Sequence, residues 1–277
     1  MPVNKAKTRG ILLVGCGKMG EALLRGWIAR GCAADGVTIV DPVANSVAQW
    51  RGKDGIVLTA GPADLAPTTA PEVVVLAVKP QVMSEVVPAY RRFVPGGAVF
   101  LSIAAGKTLT YFANLLGPEA AIVRAMPNLP ASIGKGATVL CANARVAEDQ
   151  RKGCDRLMAA VGEVAWVGDE PLLDAVTAVS GSGPAYVFLL AECLAEAGIA
   201  AGLPTDLAHA LARATVAGSG ALLQESNEAP SQLRQSVTSP GGTTAAALSV
   251  LMAPGAMTAL ITRAVAAATA RSRELAS

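Results

Sequence analysis

The sequence GCGKMG at residues 15–20 has the spacing of a loop that binds nucleotide phosphates. It follows an apolar run, residues 10–14 (GILLV), and opens a helical stretch, the context in which a GxGxxG pattern is informative. The first glycine makes a tight turn, the second admits a pyrophosphate, and the third lets the helix pack on the strand. The alternative is a glycine-rich turn without a ligand. We expect a dinucleotide site formed by Gly15, Cys16, Gly17, Lys18, Met19 and Gly20.

An acidic residue, Asp41, ends the second apolar run, residues 37–40 (VTIV). A carboxylate about 20 residues beyond the glycines binds the adenine ribose hydroxyls of NAD and repels the 2′-phosphate of NADP. The next arginine is Arg51, ten residues further on, so no guanidinium stands beside Asp41 in the sequence. These residues favour NADH, although an aspartate before Pro42 is also typical of a turn.

Two further segments have the composition of ligand loops. Residues 77–80 (AVKP) end a third apolar run and would border the ligand crevice, although Lys79 is also explained as a solvated surface lysine. Residues 239–244 (SPGGTT) precede a predicted helix, whose positive dipole end and free N–H groups suit a carboxylate. A plain turn with a helix cap uses the same N–H groups, so both interpretations can hold.

The elements that must position these segments alternate between strand and helix and then become all-helical. Apolar runs typical of strands in a parallel sheet buried on both faces alternate with helical stretches at residues 46–50, 81–90 and 110–116. We therefore expect an α/β Rossmann-like, doubly wound domain over residues 1–168 and an all-α dimerisation domain over residues 169–277. The predicted strands are residues 10–14, 37–40, 73–78, 98–103, 121–124 and 137–141. The predicted C-terminal helices are residues 172–180, 184–201, 206–225, 230–237, 243–252 and 256–275.

Composition excludes several classes of protein. The net charge is +2 with dispersed Lys and Arg, and aromatic residues make up 4%, so nucleic-acid binding is not expected. Five cysteines without metal-like spacing and a single histidine, His209, predict no metal site and a reducing compartment. We read His209 as a structural or interface residue. Only 16% of residues are charged, which indicates burial beyond one chain and therefore an oligomer.

Two apolar runs have to be weighed as membrane spans. Residues 184–203 contain Glu192 and Glu196, and residues 243–261 are interrupted by Pro254, so both are better explained as buried helices. Residues 1–9 lack the apolar stretch of a signal peptide. We expect a cytoplasmic protein without a membrane partner.

Over nearly its whole length, the sequence resembles the pyrroline-5-carboxylate reductases. The SPGGTT block with SGSGPAY upstream is highly specific to that family, whereas GxGxxG is not. The resemblance implies reduction of the C=N bond of Δ1-pyrroline-5-carboxylate to L-proline by NADPH or NADH. It also implies a homodimer through the helical domain, with dimers assembling into rings such as decamers. The matching segments are residues 14–20 (VGCGKMG), 76–81 (LAVKPQ), 124–130 (RAMPNLP), 178–186 (AVSGSGPAY), 201–204 (AGLP), 237–244 (VTSPGGTT) and 270–275 (ARSREL).

The resemblance also assigns roles to single residues. The backbone N–H groups of Thr243 and Thr244, beside Gly242, hold the substrate carboxylate, and the Thr244 hydroxyl bonds the substrate nitrogen, which makes Thr244 the candidate catalytic residue. Ser236 and Glu170 line the same pocket in relatives. The residues placed around the cofactor are Val14, Gly15, Cys16, Gly17, Lys18, Met19, Ala77, Val78, Lys79, Pro80, Ile103, Ala104 and Ala105.

Some positions depart from the family or are open to two explanations. Asp41 and Pro42 stand where many relatives have a basic or Ser/Asn-rich sequence, which puts the usual NADPH preference in doubt. Asp64 aligns with an asparagine that contacts the cofactor in relatives. Asn128 is either a ligand or a structural residue.

Two other functions compete with this one. The first is a β-hydroxyacid dehydrogenase, or a related imine reductase, of the same architecture. Hydroxyacid dehydrogenases of that kind need a catalytic lysine in the first helix of the helical domain, and no lysine occurs after Lys152, which disfavours them. A non-catalytic dinucleotide sensor is disfavoured because it would not need the SPGGTT block.

Overall fold

The structure, a computed structural model, describes residues 10–276. The expectation about a signal peptide concerns residues 1–9 and lies outside the described residues. The chain divides into two compact units, Met1–Gly181 together with Thr269–Ser277, and Ser182–Ala268. The sequence placed its boundary after residue 168. The compact unit that contains the sheet continues to Gly181 and also includes the C-terminal residues.

The first unit contains an eight-stranded sheet in the order β3-β2-β1-β4-β5-β6-β7-β8. Strands β1 to β6 are parallel, β7 is antiparallel to β6, and β8 is parallel to β7. The order reverses direction at β1, as in a doubly wound nucleotide-binding sheet, and confirms the predicted fold class. The strands are β1 (Ile11–Val14), β2 (Val37–Val40), β3 (Ile56–Thr59), β4 (Val73–Leu76), β5 (Val99–Ser102), β6 (Ala121–Met126), β7 (Gly136–Ala142) and β8 (Gly162–Trp166).

Helices cover both faces of this sheet, because strands that are apolar on both sides need a core on each. One core packs Trp27, Leu101 and Leu157, and the other packs Leu12, Phe100 and Phe112. The indole N–H of Trp27 donates to the carbonyl of Leu157 (2.9 Å), which ties two helices together on the first face. The α-helices of this unit are α1 (Lys18–Ala29), α2 (Ala44–Val47), α3 (Met83–Val86), α4 (Leu109–Leu116), α5 (Glu148–Ala159) and α6 (Leu172–Val176).

Two strands were missed by the sequence prediction. β3 and β8 are the outermost strands of the sheet, and each has half-buried or exposed residues throughout. The sequence of β8 (GEVAW) lacks the continuous apolar run that marks the central strands β1 and β4. The sequence of β3 (IVLT) has such a run, but the sequence prediction did not include it.

The second unit is helical, as predicted. Its helices are α7 (Gly183–Ala200), α8 (Thr205–Glu225), α9 (Pro230–Ser236) and α10 (Thr243–Leu251), and α11 (Met257–Ala276) starts in this unit. The helical segment Leu172–Ala200 is long and apolar enough to cross a membrane by length and composition, but only 6% of its most apolar window is buried in one chain. The expected burial of this apolar run is therefore wrong for a single chain, because hydropathy does not say what covers a helix. Its exposed apolar side chains include Val187, Phe188, Leu189, Leu190 and Leu194.

Candidate functional site

The loops predicted to bind the cofactor leave the sheet at one edge and at one level. Val14 of β1 pairs with Val40 of β2 and with Leu76 of β4, and Leu76 pairs with Ser102 of β5. The next residues are therefore neighbours along the carboxyl edge of the sheet, beside the point where the strand order reverses. Ligands bind there in open parallel sheets. The aligned residues are Gly15, Asp41, Ala77 and Ile103.

Each glycine of the GxGxxG loop meets a different requirement. Gly15 has φ +88°, and a Cβ there would lie 2.8 Å from Val78 Cγ1, so a tight turn against the neighbouring loop requires glycine. A Cβ on Gly20 would lie 2.5 Å from the Gly15 carbonyl, which shows how closely α1 approaches the loop. Gly17 is exposed, and among residues 10–276 nothing lies within 4 Å of its Cβ position. The open space above Gly17 is where a phosphate could approach the backbone.

Helix α1 begins directly after this open position. Its N-cap is Gly17, and within the described part of the chain no side chain caps it. The first N–H groups are therefore left for water or an anion, and the positive end of the helix dipole adds to the attraction. Lys18 is exposed and Met19 is half-buried beside them. The loop thus fits a pyrophosphate group.

Asp41 lies against the same loop. Its Oδ2 accepts the backbone N–H of Cys16 (2.7 Å), and its Oδ1 accepts that of Val43 (2.8 Å). Burial, and then the negative charge of Asp41, raises the pKa of the Cys16 thiol to about 11. The thiol is therefore neutral at physiological pH. A fixed carboxylate at this position fits ribose hydroxyl groups and repels a phosphate.

The remaining cofactor candidates lie on the same edge, with different exposure. After β4, Lys79 is exposed and precedes a short 3₁₀ helix, Pro80–Val82. After β5, the N–H of Ala104 donates to Ser102 Oγ (3.2 Å), and Ala105 is exposed. Asp64 is exposed after β3.

The side chain of Asp64 accepts a hydrogen bond within its own turn. Asp64 Oδ2 accepts the N–H of Gly61 (3.0 Å). A cofactor contact by Asp64 stays a prediction.

Glu170 links β6 and the start of α4 inside the first unit. Its Oε1 accepts Nη1 of Arg124 on β6 (2.5 Å) and the N–H of Leu109 at the start of α4 (2.7 Å). The side chains of Arg124 and Glu170 are 11% and 22% exposed. The predicted role of Glu170 in a substrate pocket stays a prediction, and no spacing in the sequence connects it with Arg124, its partner.

Asn128 has a structural role in the described residues. Its Oδ1 accepts the N–H of Ala137 (2.9 Å), and its Nδ2 donates to Ser180 Oγ (3.2 Å). Ser180 lies in a π-helical turn, Thr177–Gly181, against which Met126 also packs. These bonds favour the structural explanation over a ligand role.

The SPGGTT block forms a turn followed by a helix start in the second unit. The N–H of Gly242 donates to the carbonyl of Ser239 (3.0 Å), and Gly241 has φ +71°, which favours glycine. Helix α10 then begins at Thr243 with Gly242 as its N-cap, and no described side chain caps it. The first N–H groups, including those of Thr243 and Thr244, are left for water or an anion. The turn and helix start therefore fit a carboxylate.

The side chains near this turn differ in exposure. Thr244 is half-buried, Thr243 is exposed, and Ser236 is exposed with its hydroxyl donating to the carbonyl of Leu233 (2.8 Å). His209 lies with Glu192 in a largely apolar groove between α7 and α8.

Comparison with known proteins gives two family models and many full-length relatives. The model described as pyrroline-5-carboxylate reductase dimerisation matches residues 170–275, and the model described as NADP oxidoreductase coenzyme F420-dependent matches residues 10–106. The chain is 39% identical to a pyrroline-5-carboxylate reductase of Pseudomonas aeruginosa, over 97% of both chains. It is 42% identical to one of Synechocystis, over 95% of this chain and 97% of the relative.

Solved structures of pyrroline carboxylate reductases are also similar to this chain. A pyrroline-5-carboxylate reductase from Coxiella burnetii superposes with a TM-score of 0.90 at 36% identity, covering 98% of this chain and 99% of that one. A Plasmodium falciparum pyrroline carboxylate reductase, solved with NADP bound, gives 0.80 at 27% identity over the same shares. With identities of 39% and 42% over nearly the full length of both relatives, this chain belongs to the pyrroline-5-carboxylate reductase family.

Proposed function

We propose that this protein reduces the C=N bond of Δ1-pyrroline-5-carboxylate with a nicotinamide cofactor and so forms L-proline. The observation that carries the proposal is the pair of uncapped, glycine-led helix starts, at Gly17 for a pyrophosphate and at Gly242 for a carboxylate. Family membership supplies the substrate class. A hydroxyacid substrate is disfavoured because the described residues from Gly183 onward include no lysine that could act as a general acid.

The protein's contribution is binding and orientation. When bound, NAD(P)H supplies the hydride that adds to the imine carbon. A protonated imine is already electrophilic, so the chain need not provide a strong acid. The N–H groups of Thr243 and Thr244 hold the substrate carboxylate, while the Thr244 hydroxyl fixes the ring nitrogen. Ser236 and Glu170 complete the substrate contacts that the family resemblance assigns.

On the cofactor side, the N–H groups that follow Gly17 hold the pyrophosphate. Asp41 binds the adenine ribose, and the loops at residues 77–80 and 103–105 form the walls. We infer a preference for NADH over NADPH, because two backbone N–H groups keep the Asp41 carboxylate at the end of β2. A 2′-phosphate would have to approach this charge.

The assembly proposed is a homodimer through the helical unit, with dimers forming a decamer, in the cytoplasm. In support, α7 and α8 expose large apolar side chains, and a second copy would remove them from water. Light scattering would distinguish two from ten copies of the 27.9 kDa chain. A monomer at micromolar concentration would contradict both assemblies.

The test of the activity is oxidation of NADH or NADPH, followed by absorbance, with pyrroline-5-carboxylate and, as the competing reaction, with a 3-oxoacid of the kind that a β-hydroxyacid dehydrogenase reduces. Thr244→Ala should lower kcat/KM about ten- to a hundredfold, the value of one hydrogen bond to a charged group. The matched control is Ser249→Ala on the same helix, because this hydroxyl is exposed and bonds only the Ala246 carbonyl in the described structure (2.7 Å). No oxidation by the wild type with either cofactor would contradict the proposed function. A Thr244→Ala variant as active as Ser249→Ala would contradict the role of the hydroxyl alone.

A further inference from the structure

The loop between β5 and α4, residues 103–108, is fixed by contacts from several elements. The N–H of Ile103 donates to the carbonyl of Leu76 (3.2 Å), which aligns the loop's start with β4. At its far end, the N–H of Leu109 donates to Glu170 Oε1 (2.7 Å). Between these points lies Gly106, which is buried and has φ +72°. These two hydrogen bonds fix the ends of the loop, and neither of them involves Gly106 in its middle.

The C-terminal turn of α11 supports the middle of the loop. A Cβ on Gly106 would lie 3.0 Å from the carbonyl oxygen of Leu275 and 3.2 Å from its Cβ. The backbone of Leu275 thus lies directly against the loop. Only glycine both adopts this backbone conformation easily and leaves room for the helix end.

The same turn of α11 is fastened to α6. The hydroxyl of Ser272, 6% exposed, donates to Oδ1 of Asp174 (2.7 Å). Arg273 Nε lies 3.9 Å from the other carboxylate oxygen, but its side chain is 69% exposed and contributes little. A buried hydroxyl bonded to a carboxylate is a strong, directional contact. It fixes where the end of α11 lies on this unit.

We propose that the turn at residues 272–275 is a positioning element for the cofactor. Ser272 and Asp174 hold the helix end in place, and Leu275 holds Gly106, so that Ala104 and Ala105 keep the shape that the cofactor requires. The inference rests on the proposed function, which assigns residues 103–105 to the cofactor. It gives a role to the ARSREL segment, which the active-site roles leave unassigned.

The test measures cofactor binding directly, by the fluorescence of the reduced nicotinamide, together with kcat, the KM for the imine and the melting temperature. Ser272→Ala should raise the Kd for NAD(P)H about three- to tenfold, the value of one hydrogen bond, and leave kcat at saturating cofactor within about twofold. Asp174→Asn keeps an acceptor oxygen for Ser272 and should bind cofactor almost as the wild type does. Thr262→Ala is the control on the same helix, because its hydroxyl bonds only the Thr258 carbonyl in the described structure (2.8 Å).

A second variant ends the chain after Glu274 and so removes the cover of Gly106. Leu275 is 52% exposed, so the shortened chain should fold, and its cofactor Kd should rise as in Ser272→Ala. Unchanged Kd values in both variants would overturn the inference, and so would a lower melting temperature with an unchanged Kd, which is the result of a purely structural role. A wild type that binds neither NADH nor NADPH would overturn the proposed function and this inference with it.

Discussion

Replacing Glu170 by alanine tests whether this carboxylate holds the first unit together or contacts the substrate. In the structure its Oε1 is the acceptor for both Arg124 Nη1 and the Leu109 N–H. The alanine variant removes both bonds at once. It leaves the Arg124 guanidinium, whose side chain is 11% exposed, without this partner.

The size of the effect follows from that burial. Breaking a fully buried ion pair by removing one partner costs about 3–5 kcal/mol. Because the Glu170 side chain is 22% exposed, water can reach part of the vacated space and solvate Arg124. We therefore expect Glu170→Ala to lower the free energy of unfolding by about 2–3 kcal/mol.

Urea unfolding at a fixed protein concentration measures this change, since an oligomer's stability depends on concentration. Two comparison variants separate the contributions. Glu170→Gln retains an acceptor for the Leu109 N–H but loses the negative charge. Its loss in free energy of unfolding should be about half that of Glu170→Ala. The double variant Arg124→Met with Glu170→Leu removes both charges and should be more stable than Glu170→Ala, because no buried charge is left unpaired.

Unchanged stability of Glu170→Ala would contradict this role of the carboxylate. If Glu170→Ala unfolds within about 0.5 kcal/mol of the wild type, the hydrogen bonds to Arg124 and Leu109 do not stabilise the first unit. A fall in kcat/KM of at least tenfold in such a variant would then come from the proposed substrate contact alone. If the changes in free energy of unfolding of the single variants Arg124→Met and Glu170→Leu add up to the change in the double variant, Arg124 and Glu170 do not interact in solution.

Three other predictions concern the cofactor loop and the core. Asp41→Ser should shift the ratio of kcat/KM for NADPH over NADH upward about ten- to a hundredfold, by removing a carboxylate that repels a 2′-phosphate; an unchanged ratio would exclude Asp41 as the determinant. Gly17→Ala should keep the wild-type melting temperature but weaken cofactor binding, because nothing described lies within 4 Å of its Cβ position. Gly20→Ala should lower the melting temperature, because its Cβ would lie 2.5 Å from the Gly15 carbonyl oxygen. Equal melting temperatures would contradict this assignment. Burial raises the pKa of the Cys154 thiol from 9.0 to about 12, so above pH 9 the unfolded chain loses a proton that the folded chain keeps. Stability should fall by up to about 1.4 kcal/mol per pH unit from this group between those values and less steeply in Cys154→Ala, as measured by urea unfolding at several pH values.

The fold was predictable where burial is uniform along an element. Strands β1 and β4 are buried at every residue, so their apolar runs identify them without any knowledge of their neighbours. The residues of β8 alternate between half-buried and exposed, and its sequence GEVAW is a short mixed run of a kind that is also typical of loops. The sequence of β3 (IVLT) is an apolar run like those of the central strands, so its omission has no such explanation.

The site was predictable where one short segment contains all the necessary groups. The glycines of residues 15–20 are such a case, since turn, approach and packing are local requirements. The hydrogen-bonded residues Arg124 and Glu170 are 46 positions apart in the sequence, and Asp174 and Ser272 are 98 positions apart. No spacing rule connects residues so far apart, because the fold alone brings them together.

The starts of the helices show why these loops can bind anions. The N-cap of helix α4 is Thr108, whose hydroxyl oxygen accepts the N–H of Tyr111 (3.0 Å) and so uses one of the free donors. The N-caps of helices α1 and α10 are Gly17 and Gly242, which have no side chain to do so. Glycine is only a little less favourable than serine or threonine at an N-cap, so leaving these donors free costs the fold little. A serine at either position would compete with the ligand for the same N–H groups. Avoiding this competition is a physical advantage of glycine at both helix starts.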